Sequence, residues 1–144
     1  MEHRSSYKIY NKDKLICISH VGLIRYDSLN GYVEELMNSC DLSEDFNFIV
    51  DLREAQYTRD AYMAYKFSYH FKKNFPALSK RKYAIIVKST EQIAMASIFR
   101  FLVGGLLRNV YVFNSIEEAK VWLGIKMDIK EITKAFEALS INHW

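Results

Sequence analysis

One proline and five glycines in 144 residues are too few for a collagen-like, low-complexity or disordered chain. Cysteine is scarce too: Cys17 and Cys40 are the only two, and they form no C-x-x-C pair. Cys17 falls in a strand-like run and Cys40 at the end of a helix-like one. Both read as buried free thiols suited to a reducing cytoplasm. No apolar run is long enough for a membrane span, because the longest, residues 93–107, contains Arg100. Residues 1–6 lead into no apolar signal-peptide core, so a cytoplasmic location is expected. A net charge of +3 supplies no strong global field, and nucleic acid is not an expected partner.

Catalytic spacing is missing as well. His3, His20, His70 and His143 share no metal-ligand spacing. There is no G-x-S-x-G and no phosphate-cradling glycine loop. The expectation is a non-enzymatic chain with no catalytic residue, no metal and no cofactor. His20, close to a strand end, reads as a satisfied rim histidine.

What is present is packing material. Half of the residues are hydrophobic, 26% are charged, and 15% are aromatic, with ten Tyr, nine Phe and two Trp. That is the composition of a globular chain, expected to form a single domain over residues 1–144 that buries about two-thirds of its unfolded surface. Charge is segregated along it. Residues 27–60 hold nine acidic and two basic side chains, and residues 66–88 hold seven basic and no acidic ones. The two segments read either as faces that attract each other or as a basic patch for an anionic surface.

Hydrophobic periodicity supplies the element order. Residues 7–10 and 15–20 read as a hairpin around Asn11–Lys14. Leu29, Tyr32, Val33, Leu36, Met37 and Cys40 recur at helical spacing after a cap at Asp27 or Ser28. Residues 46–51, 83–88 and 110–113 are near-continuous apolar runs, as expected of parallel strands buried on both faces. Helical segments at 59–74 and 90–107 lie between them, implying right-handed crossovers. Ser115 with Glu118 forms a capping box for a helix that stops at Gly124, and Asp128 caps a last helix carrying Ile132, Phe136 and Leu139. The fold class is therefore α/β. A mixed five-stranded sheet is expected, with an N-terminal hairpin plus parallel strands and helices mainly on one face. Residues 124–144 read as a C-terminal helical extension.

Within that order, residues 110–123, Val-Tyr-Val-Phe-Asn-Ser-Ile-Glu-Glu-Ala-Lys-Val-Trp-Leu, resemble the closing signature of STAS-like, SpoIIAA-like domains. The resemblance spans roughly residues 7–123. It implies a SpoIIAA-like fold and a regulatory role. Bacterial members antagonise an anti-sigma factor, others regulate transporters, and a related branch similar to CRAL-TRIO domains holds a lipid. The family's phosphorylatable serine follows the third strand. Here Asp51-Leu52 matches the strand end, but Asp60 or Ala61 occupies the serine region, and Thr58 is the nearest comparable hydroxyl.

Three surfaces are candidates for contact. The first is the loop after the third strand, where Arg53, Glu54 and Tyr57 are not explained by helix capping. The second is the helix at 59–74. Ala64, Phe67, Phe71 and Phe75 suit a core face, which leaves Tyr62, Tyr65 and Tyr69 flanked by lysines on the other side. The third is the helix at 93–107, apolar around its circumference, with Phe99, Leu102, Val103 and Leu106 as its surplus face. That face calls for cover by the two C-terminal helices, by a second copy in a homodimer, or by an apolar ligand or lipid. The expected function is a protein-interaction module. An apolar-ligand domain is the alternative, and docking on an anionic membrane through Lys72, Lys73, Lys80, Arg81 and Lys82 is a third reading.

Overall fold

A computed structural model describes residues 2–39, 45–57, 61–74, 81–103 and 109–141. The chain opens with a hairpin of β1 (Arg4–Tyr10) and β2 (Leu15–Ile24), turned through residues 11–14 with Lys14 at a left-handed φ of 52°. Then come α1 (Tyr26–Ser39), β3 (Asn47–Asp51), β4 (Ala55–Tyr57), α2 (Ala61–Asn74), β5 (Lys82–Ile86), α3 (Thr90–Val103), β6 (Asn109–Phe113), α4 (Ile116–Leu123) and α5 (Ile129–Ile141). Helix α1 starts a residue before the expected caps, because the Arg25 carbonyl already accepts the Leu29 amide at 2.9 Å.

The sheet order is β1-β2-β3-β5-β6, and β4 pairs with β2 outside that path. Only the β1–β2 pair is antiparallel. The described sheet thus has six strands, not five. The extra one is short and was hidden in what reads as a loop. Strand β2 makes room for it by changing partner: Leu15–Ser19 pair with β3, and Gly22–Ile24 pair with β4. Gly22 sits at that change with φ 85°, which a side chain would resist.

Topology places the helices. The crossovers β2–α1–β3, β3–α2–β5 and β5–α3–β6 all step the same way along the sheet. Crossovers of one hand and one direction put their helices on one face. That face is built on Ile16, Phe48, Ile85 and Val110, packed with Leu36, Phe67, Phe71 and Ala96 from α1, α2 and α3. Strand side chains alternate, so Leu15, Cys17, Ile49, Ala84 and Ile86 point the other way. They are fully buried, because α4 and α5 cover them with Ala119, Leu123, Ile132 and Phe136. The division is three helices to two. The C-terminal helices therefore close the opposite face and do not lie over α3, which removes one of the three covers expected for that helix.

The caps read from the sequence are in place. Ser115 Oγ accepts the Glu118 amide at 3.2 Å, Gly124 ends α4 at φ 69°, and Asp128 Oδ1 accepts the Lys130 amide at 2.9 Å. The two charged segments also meet. Glu54 pairs with Lys88 at 3.0 Å, and Asp45 with Arg81.

Truncating Phe136 to Ala should cost about 3–5 kcal/mol in urea denaturation, since the ring fills the second core. Val121→Ala, on the exposed side of α4, should stay within about 0.5 kcal/mol.

Candidate functional site

The loop after β3 is the first expected contact surface, and its polar groups are tied to one another and to α3. Asp51 is buried and accepts three bonds from Arg53: the amide at 3.0 Å, Nε at 2.9 Å and Nη2 at 3.0 Å. That hydrogen bonding holds the guanidinium protonated even more firmly than usual. Gln92 clamps the same loop from α3. Its Nε2 donates to the carbonyls of Leu52, Arg53 and Ala55 at 2.8, 3.1 and 3.0 Å. Its Oε1 accepts the Lys88 amide at 2.8 Å, and its own amide donates to the Ser89 cap at 3.1 Å. Gln92 therefore does more than complete the Ser89 cap of α3. Arg53 and Glu54 both have partners inside the fold, and the Tyr57 side chain lies outside the described residues.

The tyrosine stripe stands differently. On α2, Phe67 and Phe71 are buried, while Tyr62, Tyr65 and Tyr69 are 68%, 53% and 59% exposed. Lys66 lies over the Tyr62 ring at 5.5 Å, and Lys72 and Lys73 are exposed in the last turn. Arg81 is paired with Asp45, Lys82 sits over the Trp122 ring at 5.4 Å, and Lys80 is outside the described residues. On α3, Ala96 and Gln92 face inward and Ile93 is 46% exposed. Phe99, Leu102 and Val103 lie on its last turns, but their side chains, like Leu106 altogether, fall outside the described residues.

Between the sheet and α1–α3 is an apolar cavity of about 150 Å³. Phe48, Val50 and Ile85 form its floor, and Leu36, Phe67 and Ala96 are among its helical walls. Among the described lining residues its single imidazole is His20. A second cavity of about 300 Å³, mainly apolar but more polar than the first, lies between β1 and α1, with Ser5, Ser6, Tyr32 and Glu35 among its lining. The two share Ile18, His20, Leu29, Val33 and Leu36.

His20 is thus no rim residue. It is 7% exposed, and His3 beside it is 3% exposed. His3 Nε2 lies 3.1 Å from His20 Nδ1 and 3.2 Å from Ser5 Oγ, and Ser5 Oγ also contacts His20 Nδ1. The Arg25 amide donates to His3 Nδ1 at 3.4 Å, and Tyr32 donates to the His3 carbonyl at 3.3 Å. Hairpin register builds this cluster: a turn closed by Tyr10–Leu15 puts Ser5 opposite His20. That signal was available in the sequence, whereas spacing along the chain, seventeen residues from His3 to His20, conceals it. A nucleophile relay uses both ring nitrogens of its base for different partners. Among the described contacts, those of His20 with His3 and Ser5 both fall on Nδ1, and the three residues form a hydrogen-bonded triangle. Cys17 offers no thiolate either, since burial pushes its thiol up to about 12. Cys40 is outside the described residues. Among the described residues no group of three His, Cys, Asp or Glu could hold a metal, and no helix is long and apolar enough to cross a membrane.

No family model matches the sequence, and no curated protein is significantly similar to it. The structure is similar to that of an uncharacterised DUF3478-family protein with a SpoIIAA-like fold from Shewanella loihica PV-4. The TM-score is 0.56 at 15% identity, over 85% of this chain and 96% of that one. The fold is SpoIIAA-like, as the closing Trp122-Leu123 motif implies.

Replacing Gln92 by Ala should remove the side-chain donor shared by the Leu52, Arg53 and Ala55 carbonyls, of which Leu52 keeps the Ala55 amide. The expected loss is roughly 1–3 kcal/mol, with faster hydrogen exchange at the Gly22 and Ala55 amides, which donate to the Glu54 and Leu52 carbonyls.

Proposed function

We propose that this chain is a non-enzymatic binding module whose ligand is an apolar small molecule held between the sheet and α1–α3. The apolar cavity carries this reading. A void of about 150 Å³ with aliphatic and aromatic walls favours an apolar guest over water, and benzene fits a site of that size. Its walls come from three separate crossover helices, so a guest would tie α1, α2 and α3 together. At a ligand concentration a hundredfold above Kd, binding to the folded state alone contributes about 2.7 kcal/mol. Toluene should therefore raise Tm by roughly 5–10 °C for a chain of this length. Ala96→Leu, which grows a side chain into the cavity, should abolish the shift while the protein still folds. A Tm indifferent to toluene in the native chain would defeat the reading.

A second reading is a protein contact through α2, favoured by the exposure of Tyr62, Tyr65 and Tyr69 beside Lys66, Lys72 and Lys73. Tyrosine presents an apolar body with a polar tip, and the lysines match an acidic partner. Fluorescence anisotropy with a labelled Asp/Glu-rich peptide should show binding that weakens with salt. It should disappear in a Tyr65→Ser/Tyr69→Ser variant whose stability is unchanged to within about 0.5 kcal/mol. Equal binding by that variant would exclude the stripe.

A further inference from the structure

The geometry points to an amphiphilic ligand: a chain of about six carbons in the apolar cavity, and an uncharged, hydrogen-donating head, a hydroxyl or amide N–H, at Ser5 and Glu35. This rests on the cavity reading above and adds the chemistry of the head group. The chain length follows from the volume, because a cavity of this size accepts six carbons as benzene. The two cavities share five lining residues, so head and chain can belong to one molecule.

The head follows from counting protons. His3 Nδ1 accepts the Arg25 amide, so neutral His3 carries its hydrogen on Nε2. That N–H points at His20 Nδ1 and Ser5 Oγ, 3.1 and 3.2 Å away. His20 Nδ1 has one lone pair and takes the Ser5 hydrogen, its nearer contact, so the His3 N–H is accepted by Ser5 Oγ. The Tyr32 hydrogen goes to the His3 carbonyl. What Ser5 presents to the second cavity is an oxygen lone pair. Glu35, in the same lining, adds a carboxylate, and no lysine or arginine lines that cavity among the described residues. A carboxylate or phosphate head would meet acceptors and like charge. A hydroxyl or amide supplies a hydrogen to the Ser5 and Glu35 oxygens.

The test compares four probes on the intact chain by calorimetry at pH 7: toluene, 1-hexanol, hexyl methyl ether and hexanoate. The ether keeps the oxygen and chain of the alcohol but cannot donate. Hexanol is expected to bind about fivefold tighter than the ether, the worth of one hydrogen bond, and at least tenfold tighter than hexanoate. Ser5→Ala should erase the advantage of alcohol over ether and leave toluene binding unchanged. Glu35→Gln, at an exposed position, should narrow the gap between hexanol and hexanoate. Hexanoate binding as tightly as hexanol would overturn the proposal, as would an alcohol preference that survives both substitutions. Toluene binding without any preference for the alcohol overturns the head-group assignment alone. Failure of toluene and hexanol together overturns the cavity reading with it.

Discussion

Strands β3 and β5 carry apolar side chains on both faces, and water on either face would leave half of them exposed. Ile49, Ala84 and Ile86 point one way, Phe48 and Ile85 the other, and all are buried. The rest of the architecture answers this constraint. Three crossovers of one direction can cover only one face, because handedness fixes the side on which each helix returns. A chain stopping after β6 would leave Ile49 and Ile86 bare. Helices α4 and α5 remove that exposure, and their deliberate caps at Ser115, Gly124 and Asp128 hold a short amphipathic pair in the needed register.

The described side chains fill the two faces unequally. Opposite α4 and α5 the strands present Cys17, Ala84 and Ile86, fully buried under Ala119, Ile132 and Phe136. Opposite α1–α3 the side chains are larger and the helices stand around a cavity. Three crossover helices must each follow the strand spacing of the sheet, and α1 and α3 start from loops fixed by Arg25 and by the Gln92 clamp. Helices positioned by their ends cannot all move inward to close a central gap.

The polar groups divide along the same lines. Asp51, Arg53 and Gln92 make a network that fixes the β3–β4 loop. His3, Ser5 and His20 form a second buried network, but one bordering a cavity. Buried polar groups of this kind are costly unless paired. The triangle pairs His3, Ser5 and His20 with one another.

Local pattern determined much of this protein. Period-two and period-3.6 runs gave the hairpin, the three parallel strands and all five helices, and the Ser115, Gly124 and Asp128 caps hold because each is decided within one turn. The exposure of Tyr62, Tyr65 and Tyr69 was legible for the same reason, since Phe67 and Phe71 already supply the inward face. Tertiary structure alone decided the rest. Strand β4 exists only because β2 bends at Gly22 and offers it an edge. Arg53 is held in place by the buried Asp51, and His20 is buried by a register that brings His3 and Ser5 against it. The side taken by α4 and α5 depends on which face the crossovers left open. Spacing along a chain reports what one element does by itself; partners, registers and cavities arise between elements, where distance in sequence carries no information about distance in space.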